Sequence, residues 1–78
     1  MKLYGYTERP GAFNAESPDT LSEATLVASP AELRRIAEFL ISAANTMEEV
    51  GDRYDHQHLS DHDRSFRTSP QFVVCRQR

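Results

Sequence analysis

A single α+β domain spanning residues 1–78 is expected, of order ββαββ. It would be a four-stranded, mostly antiparallel sheet with one long amphipathic helix packed on one face. Three observations lead there. An apolar stripe at helical spacing runs unbroken through the middle of the chain. Two short β-prone segments precede it and two follow it. The length of 78 residues suits one domain with one core.

Residues 2–6 form the first expected strand, with rings at Tyr4 and Tyr6. Residues 21–28 form the second. Ala24, Leu26 and Ala28 share one face, and Glu23, Thr25 and Val27 the other. The helix opens at Ser29-Pro30-Ala31-Glu32. Ser29 caps through its hydroxyl, Pro30 suits the first helical position, and Glu32 completes a capping box. The stripe then runs through Leu33, Ile36, Leu40, Ala43, Met47, Val50 and Tyr54. Ala37, Ile41 and Ala44 widen it on one side and Phe39 on the other. Gly51 is the natural left-handed stop, so the helix spans 30 to about 50. Residues 56–61 are the third strand. Residues 71–76 are the fourth, and Phe72-Val73-Val74-Cys75 reads as a strand in a central position or with a second covered face, its thiol buried. The loops at 7–20 and 60–70 are longer than hairpins need. The uncovered face of such a sheet would be a surface for self-association or for a partner.

Composition sharpens the picture. Leu, Ile, Val and Phe number 16 of 78, so the core must be concentrated in a few elements. The formal charge of −3 argues against a nucleic-acid partner, which calls for a basic stripe. The charge is segregated along the chain. Residues 38–63 carry seven acidic side chains against Arg53 alone, and residues 64–78 carry four arginines and no acid. Such asymmetry steers a charged protein partner. No apolar run reaches a membrane span and no signal-peptide core opens the chain. A cytoplasmic location without membrane contact is therefore expected.

The candidate partner-binding residues are Glu48, Glu49, Asp52, Asp55, His56, His58, Asp61 and Asp63. His56 and His58 would share one face of a strand, and two imidazoles on one face are weak candidates for a metal. Their spacing matches no closed zinc pattern, and the one cysteine, Cys75, forms no Cys-x-x-Cys pair. Asp61 and Asp63 lack the glycine and terminal glutamate of a calcium loop. Ser60, His62 and Asp63 make a triad only on paper, because neighbours on a short loop rarely reach triad geometry. Three glycines leave no phosphate-cradling loop. No catalytic residue, no organic cofactor and no enzymatic activity are expected.

Residues 26–40, read Leu26-Val27-Ala28-Ser29-Pro30-Ala31-Glu32-Leu33 and onward to Leu40, carry a resemblance. It continues in Met47-Glu48-Glu49, in His56-Gln57-His58-Leu59-Ser60-Asp61 and in Pro70-Gln71-Phe72-Val73-Val74-Cys75-Arg76. Over residues 21–76 the chain resembles the immunity-protein-32 family of bacterial polymorphic toxin systems. That resemblance implies a small cytoplasmic protein that binds and neutralises a cognate secreted toxin, often a nuclease. It assigns no catalytic residue. A homodimeric module paired through the open sheet face is the alternative, and a metal-binding His-x-His protein is a third.

Overall fold

A computed structural model describes residues 1–8 and 19–78. The element order is β1 (Lys2–Thr7), β2 (Leu21–Val27), α1 (Pro30–Val50), β3 (His56–His58), α2 (Leu59–His62) and β4 (Val73–Cys75). Short 3-10 turns lie at Gly51–Arg53 and Arg64–Phe66.

The helix begins as its sequence dictates. The Glu32 backbone N–H donates to Ser29 Oγ at 3.1 Å, and the Ser29 N–H donates to Glu32 Oε1 at 2.9 Å. Pro30 occupies the first turn, where its missing N–H costs nothing. Gly51 closes the helix at φ +59°, a conformation that disfavours any side chain, and its N–H returns to the Met47 carbonyl. Replacing Ser29 with alanine removes the hydroxyl half of the box and leaves the backbone N–H to Glu32 in place. A loss of about 1 kcal/mol is expected, read as a lower midpoint in urea with unchanged slope.

The strands form two separate antiparallel pairs, β1 with β2 and β3 with β4. The expected single four-stranded sheet is not formed. The physical reason lies in β3 and β4, which are three residues each and pair only His56–Cys75, Gln57–Val74 and His58–Val73. The chain leaves β3 at Leu59, whose N–H donates to the Phe72 carbonyl at 2.9 Å, and turns at once into α2. So short a ladder presents little edge for a second hairpin to join. β4 is correspondingly not a central strand. Val73 and Cys75 are exposed, so Cys75 is not the buried thiol its apolar neighbours implied. The four-stranded face on which sheet-to-sheet dimerisation rested is therefore not formed, and the exposed sheet surface is that of the β1–β2 pair, with Tyr4, Tyr6 and Leu21.

The core gathers around one side of α1. Ile36, Phe39, Leu59 and Phe66 are buried against one another, flanked by Met1, Leu26, Ala28, Phe72 and Val74. Phe39 meets Phe72 edge-on with ring centroids 6.4 Å apart. The buried side of α1 is Ile36, Phe39 and Ala43. The centre of the expected stripe is thus displaced, and Leu33 and Leu40 face solvent. Phe39 supplies the largest apolar surface on the helix, and the small elements packed beneath α1 cover one side of it. Tyr54 is buried beyond the helix end, as the stripe predicts, and its hydroxyl donates to Gln57 Oε1 at 2.9 Å. The loop expected at 60–70 contains α2 and the turn that buries Phe66. Residues 9–18 of the other expected loop lie outside the described residues.

Candidate functional site

The acidic segment emerges on the surface beside the end of α1 and along β3 and α2. Glu48 and Glu49 occupy the last turn of the helix and are exposed. Asp52 follows in the 3-10 turn, 98% exposed and 4.0 Å from Arg76 Nε. Asp55 holds His56 Nδ1 at 2.6 Å. Asp61, also exposed, stands 3.9 Å from His58 Nδ1.

Strand alternation places His56 and His58 on one face, as expected, with ring centroids 5.1 Å apart and planes near perpendicular. With Gln57, Asp61 and His62 they line a hollow of about 280 Å³. Among the described residues, no group of three or more His, Cys, Asp or Glu side chains is placed to hold a metal ion. The Asp55 carboxylate engages His56 through Nδ1.

Asp63 has a different role. Its carboxylate takes two hydrogen bonds from Arg35, at 2.5 and 2.8 Å, and two from Ser65, through the backbone at 3.0 Å and the hydroxyl at 2.7 Å. It ties the second turn of α1 to the turn that carries Phe66. The paper triad is not assembled. Asp63 is taken by Arg35 and Ser65, the Ser60 hydroxyl points to Gln71 Oε1 at 3.4 Å, and the His62 ring packs at a tilt against Phe39.

Sequence reasoning missed a basic side to this surface. Arg76 donates to the Met47 carbonyl at 3.2 Å and Arg78 to the Tyr54 carbonyl at 3.0 Å, so both close the C-terminal end of the helix region. Arg64 and Arg67 are left exposed. With Ser60, Asp61 and Gln71 they line a second hollow of about 320 Å³. Asp61 stands between the two hollows, so imidazoles lie on one side of it and guanidiniums on the other. The signal available in the sequence was the acid-free segment at 64–78, which does not say which arginines stay free.

Two carboxylates are held below their ordinary range. Hydrogen bonds from the Met1 ammonium and from the Ser29 backbone lower Glu32 from 4.5 to about 2. Arg35 first, and Ser65 second, hold Asp63 well below the usual carboxylate value. Both folded-state values lie below the unfolded ones. Their stabilisation is therefore complete above the unfolded carboxylate range of about pH 4 and is lost as pH falls toward the folded values. Thermal midpoints should fall between about pH 5 and pH 2. In Asp63→Asn the midpoint at neutral pH should be lower and the acid-side decline shallower.

A family model described as Immunity protein 32 matches residues 23–77. Comparison with curated proteins and comparison with solved structures each returned no match. No described helix is long and apolar enough to cross a membrane.

Proposed function

We propose, on the premise that this chain belongs to the immunity protein 32 family, that it neutralises a cognate toxin by binding it directly. The match over residues 23–77 carries this reading, because it takes in the helix, β3, α2 and β4 together. The contact is assigned to the exposed acidic surface of Glu48, Glu49, Asp52, Asp55 and Asp61, with His56 and His58 at its centre. Asp63 supports that surface from behind by fixing Arg35 and Ser65. The chain acts by occupation rather than by catalysis, and it acts in the cytoplasm.

Charge supports the assignment. A toxin that handles phosphates has a basic cleft, and an exposed acidic run both speeds the encounter and excludes the substrate. Exposed carboxylates keep their full hydration until the complex forms, so they favour association rate over depth of binding. Affinity capture of the tagged full chain from its own cells, with a high-salt wash and mass spectrometry, tests the proposal. One basic partner in equal stoichiometry is expected. A chain recovered alone from cells shown to contain a toxin would overturn it.

A further inference from the structure

α1 carries a second apolar face that the core does not use. Leu33, Ala37, Leu40, Ala44 and Met47 recur at steps of 4, 3, 4 and 3. The first four are exposed and Met47 is half-buried. Leu33 is 46%, Leu40 43% and the adjoining Ile41 63% exposed. Steps of 4 and 3 keep a row of side chains straight along a helix pair, which is the geometry of a heptad seam. The flank of this seam away from the core carries Arg34, Ile41 and Glu48, spaced seven residues apart. Neither Arg34 nor Glu48 has an ion-pair partner among the described residues.

We propose that this face of α1 is a homodimer interface, in which two copies of the chain pair their helices antiparallel about a two-fold axis beside Ile41. The flank is self-complementary in that orientation alone. Arg34 and Glu48 are equally far from Ile41, so the axis brings Arg34 to the partner's Glu48 and sets Ile41 against the partner's Ile41. The layers of the seam are centred one residue further along the helix, at position 42. Leu40 falls against the partner's Ala44, and Met47 against the partner's Ala37. Each layer then joins one large and one small side chain, which lets the helices approach closely without voids. A parallel pair would face leucine with leucine and alanine with alanine, and would leave Arg34 and Glu48 at opposite ends of the contact. Within the 21-residue helix the seam from Leu33 to Met47 spans two heptads. The charge pattern is what selects a second copy over another occupant, because it matches this chain to itself. Glu48 is then shared between the rim of the dimer and the edge of the acidic surface, while Glu49, Asp52 and Asp61 stay clear of the seam.

Sedimentation velocity on the full chain tests this. The wild type should sediment at twice 8.9 kDa. Ile41→Glu should sediment as a monomer with unchanged circular dichroism, since that side chain is exposed within one copy. Arg34→Glu should weaken the dimer about tenfold by setting like charges together at both ends of the seam. Adding Glu48→Arg to it should restore the wild-type dissociation constant. A monomeric wild type would overturn the proposal and leave this face to a different partner. So would a dimer that survives Ile41→Glu, or a charge exchange that fails to restore pairing.

Discussion

Phe39→Ala should leave the chain largely unfolded at room temperature. Phe39 is 1% exposed and packs with Ile36, Leu59 and Phe66 while its ring meets Phe72 and His62. Truncating a buried phenylalanine costs about 3–5 kcal/mol, from lost transfer energy and from the cavity left behind. Small domains have total stabilities near the low end of about 5–15 kcal/mol. The loss is thus comparable to the whole stability. The adjacent substitution gives the contrast. Leu40→Ala removes a side chain that is 43% exposed, and in dilute protein it should cost under about 1 kcal/mol. Urea unfolding of the two variants side by side reads the orientation of α1 directly. Equal losses would mean that the helix faces its core as the sequence stripe alone implies.

The second large effect is on association. Reversing Glu49, Asp52 and Asp61 to lysine changes the local charge by six units on groups that are all exposed. The on-rate for a basic toxin should fall by about ten- to a hundredfold at low salt, with much less change at high salt. The off-rate should move less, because exposed rim charges contribute mainly to steering. Thermal stability should hardly change, as Asp52 and Asp61 have only long contacts, to Arg76 and His58. Stopped-flow association at two ionic strengths separates these outcomes. A rate insensitive to both the substitutions and the salt would place the contact elsewhere on the molecule.

Local chemistry was readable from the residues. Ser29, Pro30 and Glu32 specify the start of α1 through contacts three residues apart, and the helix begins there. Gly51 specifies its end through one backbone conformation. Both hairpins follow from adjacent β-prone segments. The joining of the hairpins was not readable, because it depends on how much ladder β3 and β4 offer after Leu59 turns the chain into α2. The facing of α1 was ambiguous for a related reason. Leu33, Leu40 and Ile41 compete with Phe39 around the same circumference, and only the elements brought beneath the helix decide between them.

The site shows the same division. His56 and His58 fall on one face because strand geometry alternates, which their spacing already states. That Asp63 serves Arg35 was hidden, since the two lie 28 residues apart. The split among the four C-terminal arginines was equally hidden. Arg76 and Arg78 are consumed by the carbonyls of Met47 and Tyr54, and Arg64 and Arg67 remain available beside Asp61.

The central claim is neutralisation by binding. It is tested most directly by growth of a host that expresses the captured basic partner, with and without this chain. The account predicts arrest by the partner alone and full rescue by the wild-type chain. It also predicts rescue that weakens when Glu49, Asp52 and Asp61 are reversed. Arrest that the wild-type chain fails to relieve, although the two proteins form a complex of equal stoichiometry, would contradict it.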